Sequence, residues 1–587
     1  MRITKLSLTN FRSFKETQTI EFAPVTLLFG PNSVGKSTVL MALFYLQQIL
    51  EKGQCNPQIL DALGDKFVGG FKNLVNGRDI SKRIKIKVEY DKHHAIGSQY
   101  TTTSDLINEL ITPGLDVIIS DSAAASSNKV AVEFVIAWSH TTGSAFIESY
   151  SVWLDDNFVG TINSDAGLKN PIVSSLNFSN QLFDEWNDAQ NDWLDEIFHN
   201  SEHILSSTKV ELFDTEINND DFVFEDHFAE DGLNNRVELF LQHQLPFGVA
   251  CIAGALPVLG KKLTTSLTFD SELNGSIIVE LLSELFVSPL DNLLDILNNS
   301  LCIGPLRKIP NSTYEPNPYP KQGDWYSGQA CWDELAITNI RRDHNVNEWL
   351  GSEKLDLGYK LIYRTQEGEN RFITPSFDVN HYNDLLAISD AIGIQIEQVH
   401  ESDESEPNII NYENLEADRE SKDIHSSFYK GLSQFKHTSV TLWDTHNSID
   451  VTASDIGVGV SQLLPLVVAI YSRNKGVIAC EQPELHVHPR VQVAIGDLLT
   501  QANTKAGFLI ETHSEHLVLR MLKRIRQTTA DELPDGFSPV TTDDISITYL
   551  EPSANGVLTK KFKVTDDGDF ENDWPGGFFD ERDEELF

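Results

Sequence analysis

At 587 residues the chain exceeds what one hydrophobic core organises and predicts roughly two to four structural units. Its 40% hydrophobic, 9% aromatic and 22% charged residues exclude a fibre or a disordered tail. With 45 basic against 87 acidic residues the formal net charge is −42, which excludes general coating of a phosphate backbone and leaves only a local basic patch or a partner for nucleic-acid contact.

The chain opens with an alternation of Ile3, Leu6, Leu8 and Phe11 that predicts a strand and not a secretory signal. The longest apolar runs, residues 248–260 and 458–471, are too short to span a bilayer. The five cysteines are odd in number, widely spaced and without C-x-x-C, so neither a disulfide framework nor a cysteine zinc site is predicted. These features predict a soluble, cytoplasmic protein with no membrane partner.

Residues 25–29 (VTLLF) have the length and apolarity of a buried strand, and residues 30–37 (GPNSVGKS) fit G-x-x-x-x-G-K-[ST]. Val39, Leu40, Leu43, Phe44 and Leu46 then recur at helical spacing. Strand, glycine loop and helix in this order form a phosphate cradle. Gly30 and Gly35 let successive backbone N–H groups and a helix N-terminus face an anion. Lys36 reaches the outer phosphates and the Ser37 hydroxyl completes a magnesium shell, so ATP and Mg²⁺ are the predicted ligands.

Residues 84–90, 129–139, 144–154 and 158–163 alternate as strands of a meander, with Lys82, Arg83, Lys85 and Lys87 on its exposed face. From 177 to 300 the pattern turns helical without sustained heptads, which argues against a long coiled-coil arm. Residues 305–330 are rich in proline, aromatics and turn formers and predict an irregular loop, whose Arg307 and Lys308 either reach a phosphate or, by default, lie on the surface. Residues 401–423 hold nine acids and two bases and predict a solvated or disordered insertion.

The C-terminal third returns to phosphate chemistry. Residues 455–464 (DIGVGVSQLL) run from a small-residue turn into an apolar helix, and Gly457, Gly459 and Ser461 offer another helix N-terminus to a phosphate. Residues 477–480 form a buried strand ending in Glu481, where a second-strand acid holds Mg²⁺ or its water. Residues 507–513 (GFLIETH) repeat the arrangement and end at His513. With a helix between them, the two strands predict a parallel sheet that the P-loop strand joins.

Weaker patterns carry alternatives. Glu484, His486 and His488 alternate and would share one side of an extended backbone as a zinc or manganese shell, against their being an ordinary loop. Arg520, Lys523, Arg524 and Arg526 form a basic helix patch that binds phosphate backbone or, more simply, pairs with the chain's own carboxylates. A hairpin turning at Asn555-Gly556, closed by Trp574, Phe578 and Phe579, predicts a small cap with an acidic rim. The Asp566, Asp567 and Asp569 group belongs to that acidic tail and not to a nuclease centre.

The set NFRSF (10–14), GPNSVGKST (30–38), VGVSQ (458–462), EQPELHVHP (481–489) and ETHSEH (511–516) resembles the ABC-type ATPase head of SMC, RecF and overcoming-lysogenization-defect proteins. Residues 511–526 and 573–587 resemble more narrowly a bacterial group of AAA-labelled ATPases with a short C-terminal domain of unknown function, often found in anti-phage systems. The resemblance covers about 1–90 and 438–587. It implies an α/β fold: a P-loop NTPase, ABC-type head assembled from 1–90 and 438–544, a large mixed α/β insertion at 91–437 and a small β cap at 545–587.

The resemblance further implies a head-to-tail homodimer that sandwiches two ATPs. Asn32, Gly35, Lys36, Ser37 and Thr38 would hold the nucleotide, Arg12 would lie near it, Ser37 and Glu481 would hold the metal, and Gly457, Gly459 and Ser461 would touch the γ-phosphate on the opposite Lys36. Glu481, Gln482, Glu484 and His513 form the implied catalytic set, with His513 sensing the γ-phosphate. The implied role is gating of a separate effector such as a nuclease in anti-phage defence or DNA repair; the alternative is a nucleotide-sensing scaffold that holds a toxic partner. The short stretch after His513 disfavours a nuclease domain of the overcoming-lysogenization-defect kind. Two departures stand out: Gln482 occupies the position of the usual catalytic glutamate, and no glutamine is assigned to the water-positioning loop. A neutral amide orients water but accepts no proton. Either hydrolysis is slow or Glu484 supplies the carboxylate.

Overall fold

The computed structural model describes residues 1–95, 97–100, 127–168, 170–177, 247–267, 272–311, 314–337, 340–351, 354–364, 370–372 and 439–571. Its first strands are β1 (Arg2–Thr9), β2 (Gln18–Glu21), β3 (Val25–Phe29), β4 (Ile84–Asp91), β5 (Lys129–Ser139), β6 (Ser144–Leu154), β7 (Asn157–Asn163), β8 (Ile172–Leu176) and β9 (Phe247–Gly248). There follow β10 (Cys251–Ile252), β11 (Leu256–Pro257), β12 (Leu301–Ile303), β13 (Tyr359–Arg364), β14 (Asn370–Phe372), β15 (Ser439–Asp444) and β16 (Ile449–Val451). The last are β17 (Val477–Glu481), β18 (Gly507–Glu511), β19 (Ile545–Ser553) and β20 (Gly556–Phe562).

The sheet that matters for the site has the order β12-β17-β18-β3-β19-β20, parallel except for the β20 edge. Strands β3, β17 and β18 are buried at every residue, as a parallel sheet covered on both faces requires. Period-2 alternation divides their side chains between two cores. Leu28, Val477, Ala479 and Leu509 pack with the P-loop helix Lys36–Lys52. Val25, Leu27, Phe29, Ile478, Cys480, Phe508 and Ile510 pack with the helices Val458–Ser472, Pro489–Gln501 and Glu515–Thr529.

A second sheet runs β2-β1-β4-β5-β6-β7-β8-β9 and is antiparallel throughout. The expected meander is present almost residue for residue, and Ile84, Ile86, Val88 and Tyr90 turn their side chains into the P-loop helix's core. Lys85 and Lys87 are on the opposite face, with the Lys87 ammonium 4.2 Å from the Trp153 ring centre.

Two elements fall in the head where the sequence placed them outside it. The hairpin β19–β20, expected as a cap, continues the P-loop sheet, with β19 parallel to β3 from Ile545↔Val25 to Tyr549↔Phe29. Strand β12, expected within the insertion, is the opposite edge of the same sheet. Hydrophobic periodicity shows that a segment is a strand but not which edge it joins. The helical pattern over 178–246, the acidic stretch 401–423 and the aromatic closure at Trp574, Phe578 and Phe579 lie outside the described residues. Among the described residues no helix is long and apolar enough to cross a membrane.

Candidate nucleotide-binding site

Strand β3 stops at Phe29 because Gly30 takes a φ of 141°, and Ser33 and Gly35, at 63° and 123°, complete the curl into the helix. The loop is pressed from both sides. A Cβ on Gly30 would overlap the Leu550 carbonyl of β19, and one on Gly35 would overlap the Ser13 hydroxyl of the N-terminal turn. Gly30→Ala is therefore expected to cost roughly 2–4 kcal/mol of stability, read as a lowered melting midpoint together with loss of nucleotide binding. An unchanged midpoint would contradict this packing.

Lys36 opens the helix, is only 3% exposed and donates to the carbonyls of Gly30 at 2.9 Å and Pro31 at 3.0 Å. Burial pushes its ammonium down in pKa, opposed by Glu511 and Glu484. Ser37 follows on the first turn, and its hydroxyl lies 3.0 Å from Glu481 Oε2 and 2.7 Å from Glu511 Oε2. Thr38 is buried beside it, and Asn32 is exposed at the loop tip.

Glu481 and Glu511 are the last residues of β17 and β18 and stand opposite each other in register. They are 6% and 8% exposed. The other Glu481 oxygen accepts from the Tyr326 hydroxyl at 3.2 Å and lies 3.5 Å from the Lys66 ammonium, which donates to Tyr326 at 3.0 Å. Glu511 Oε1 lies 3.8 Å from Lys36. Burial, with Glu481 adding to it, pushes the Glu511 carboxyl up, against the Ser37 hydrogen bond and Lys36. Burial also pushes the Tyr326 phenol up.

Past Glu481 the chain turns sharply. Gln482 takes a left-handed φ of 47° and its N–H donates to the Glu511 carbonyl at 2.7 Å. Glu484 is turned inward, accepting from Thr512 Oγ1 at 2.9 Å and from the His513 N–H at 2.7 Å. Burial pushes its carboxyl up. His513 sits between the end of β18 and the helix Glu515–Thr529, which Ser514 caps by accepting from the Leu517 N–H. Burial, then Lys36, pushes the His513 imidazole down, and its Nε2 is buried without a hydrogen-bond partner among the described residues.

The structure brings Lys36, Ser37, Glu481, Glu484 and His513 together at the carboxyl edge of the sheet. Arg12 is held differently: its guanidinium reaches the Met41 sulfur at 3.0 Å while its backbone is fixed by Leu74 and Asn76. Ser13 is the residue of that turn against the P-loop. Gly457 caps the helix Val458–Ser472, and Gly457 and Val458 are exposed. Ser461 is 0% exposed, its hydroxyl donating to the Val458 carbonyl at 2.8 Å, so it faces the interior and not a partner's phosphate. Among the described residues no hydrogen bond or ion pair joins Gly457, Gly459 or Ser461 to Lys36 or Ser37.

Sequence reasoning missed Glu511, Lys66 and Tyr326, and it did not foresee the contacts of Arg307. The sequence signal for Glu511 was its place at the end of an apolar strand, matching Glu481. Arg307, placed on the surface by default, is 4% exposed and donates to the carbonyls of Gln462 at 2.9 Å and Glu481 at 2.7 Å. Gln462 returns a bond to the Arg307 carbonyl at 3.0 Å. Arg307 thus ties the helix that Gly457 caps to the strand that ends in Glu481.

Glu484, His486 and His488 do not share a side, because Gln482 and His486 are left-handed, His486 is exposed and His488 caps the next helix through Nδ1. Three members of the basic patch are paired. Arg524 is bidentate to Asp497 at 2.7 and 3.0 Å, Arg520 lies 3.4 Å from Asp497, and Arg526 lies 3.5 Å from Asp569. Lys523 is exposed.

Residues 1–243 match the family described as "AAA ATPase domain", and residues 351–520 match the one described as "AAA domain, putative AbiEii toxin, Type IV TA system". Both descriptions are of AAA-type ATPase domains, and each match covers less than half of the chain. The chain is 30% identical over 126 residues to the DNA replication and repair protein RecF of Roseiflexus castenholzii, 20% of this chain and 32% of that one. It is 47% identical over 45 residues to RecF of Desulforamulus reducens, 8% of this chain and 12% of that one. The chain thus spans an eighth to a third of the curated relatives it matches. Its own fold is α/β, with the glycine loop joining β3 of a mostly parallel sheet to the helix Lys36–Lys52. Similar solved structures include the SMC head domain from Thermotoga maritima, with 10% identity, 96% and 100% of the two chains covered and a TM-score of 0.32. Another is RecF with ATPγS in the RecFOR pathway, with 11% identity, 95% and 97% coverage and a TM-score of 0.26.

Proposed function

We propose that this chain binds ATP with Mg²⁺ on Lys36, Ser37 and Glu481, hydrolyses it, and uses the bound nucleotide to close a head-to-tail homodimer. The observation that carries this reading is the Ser37 hydroxyl within hydrogen-bond distance of Glu481, a residue 444 positions away that ends a separate strand of the P-loop sheet. A glycine loop folding by chance has no reason to meet that acid. Ser37 and Glu481 offer hard oxygen donors, as Mg²⁺ requires, and the ion would neutralise charge on the transferring phosphoryl group.

The chain's own residues do the rest. Lys36 trades its two carbonyl partners for phosphate oxygens, and the backbone N–H groups of the curl around Gly35 cradle the same anion. His513, its Nε2 without a partner, is placed to donate to or accept from the outer phosphate. Exposed Gly457 and Val458 present a helix N-terminus outward, suited to a phosphate held by a second copy. Gln482 orients the attacking water, and Glu484, already accepting two hydrogen bonds, is a weak candidate to take its proton.

The dimer would gate a separate effector, for instance a nuclease. The toxin–antitoxin label of the second matched family supports a defence setting, and the RecF relatives are named for DNA replication and repair, which supports the other. Gln482 favours a second reading, a scaffold that senses ATP and turns it over slowly. Single-turnover hydrolysis with purified protein separates the two, since the scaffold leaves bound ATP intact over many minutes. Gln482→Glu is expected to raise turnover by about tenfold or more; an unchanged rate would show that proton acceptance is not limiting. Absence of ATP binding by the wild-type chain would end both readings.

A further inference from the structure

We infer that Glu511 is a direct second carboxylate ligand of the divalent cation, so that this head loads its metal before its nucleotide; the inference rests on the nucleotide-site reading above.

The geometry comes from strand pairing. Glu481 and Glu511 end adjacent parallel strands in matched register, so their side chains leave the sheet on the same side, about 5 Å apart at the backbone. Both are nine-tenths buried, and both converge on the one Ser37 hydroxyl, at 3.0 and 2.7 Å. A hydroxyl has one proton to donate, so with both acids ionised only one of these approaches is a hydrogen bond and the other is an unshielded contact between oxygens. Two buried carboxylates side by side repel each other as well.

The neighbouring cations do not relieve that point. Lys36 stays 3.8 Å from Glu511 Oε1 and gives its protons to the Gly30 and Pro31 carbonyls. Lys66 approaches the far oxygen of Glu481, where Tyr326 also donates, which leaves Oε2 aimed at Ser37. Three hard oxygens from three separate elements, bearing two negative charges, converge where a small divalent cation satisfies all of them. Among the described residues no group of three or more His, Cys, Asp or Glu side chains forms a closed cage. An incomplete oxygen shell is how Mg²⁺ is usually held, with water and phosphate oxygens filling the remaining positions.

Mn²⁺ serves as the probe, read by electron paramagnetic resonance on nucleotide-free full-length protein. Wild type is expected to bind one Mn²⁺ per chain without nucleotide, and Glu511→Gln to weaken that binding at least tenfold. Glu511→Asp, which keeps the charge, is expected to recover part of it. ATP binding measured in excess chelator should be equal or tighter in Glu511→Gln, because a negative charge beside the phosphates has gone; a merely structural Glu511 would weaken both. Wild type that takes up Mn²⁺ only together with ATP, or Glu511→Gln that binds Mn²⁺ as wild type does, would overturn the inference. Retained Mn²⁺ binding in a wild-type chain that binds no ATP would uphold the ligand set and overturn the nucleotide reading instead.

Discussion

Lys36→Met is expected to lower ATP affinity by about 100-fold or more, near 3 kcal/mol, while leaving the melting midpoint of nucleotide-free protein unchanged or higher. The two halves have one cause. Lys36 is 3% exposed, its charge is disfavoured by burial, and its hydrogen bonds are to two loop carbonyls. Methionine keeps the apolar stem and removes a buried charge, so the fold loses little. The phosphates, however, lose the one ammonium placed at the centre of the loop. Titration with a fluorescent ATP analogue and a thermal melt measure the pair. A variant that binds like wild type would show that the loop's backbone N–H groups suffice. One that unfolds would show that Lys36 is structural.

Arg307→Ala is expected to be the most damaging change outside the phosphate loop, at roughly 3 kcal/mol of stability. The guanidinium reaches two carbonyls on different elements, Gln462 and Glu481, and the Cys480 sulfur at 3.2 Å, and alanine leaves these groups buried without their donor. Arg307→Lys should rescue only part of the loss, because a single ammonium does not reproduce the planar fork. Chemical denaturation of the three proteins tests the order wild type, Lys, Ala. If alanine melts with wild type, Arg307 is not the tie between the helix after Gly457 and the strand of Glu481.

These two residues also mark how much the sequence made legible. Lys36 lies in a local pattern of strand, glycine loop and helix whose geometry follows from neighbouring residues, and the meander strands were readable for the same reason. Glu481 ends one apolar strand and His513 lies two residues past the end of another, positions that the local pattern makes visible. Arg307 lay in a proline-rich stretch that looks superficial, because nothing local shows that a buried carbonyl waits for it at Glu481, 174 positions on. Lys66 reaches the site from a loop and Tyr326 from the end of the short helix Gln322–Tyr326, neither with a motif of its own. Glu511 needed the strand register, and the joining of β19 to β3 needed the sheet order, neither of which periodicity contains. Ser461 carried the right residue type in the right motif, yet its position in the helix turns it inward.

The order of the sheet has a consequence for how the protein is made. Both neighbours that pair with β3, β18 and β19, are translated more than 450 residues after it. Through that interval the nascent polypeptide carries a largely apolar strand with two bare edges, the kind of segment that co-translational chaperones shield. The contacts that Lys36 and Ser37 make with Glu481 and Glu511 therefore form only after β18 has been made.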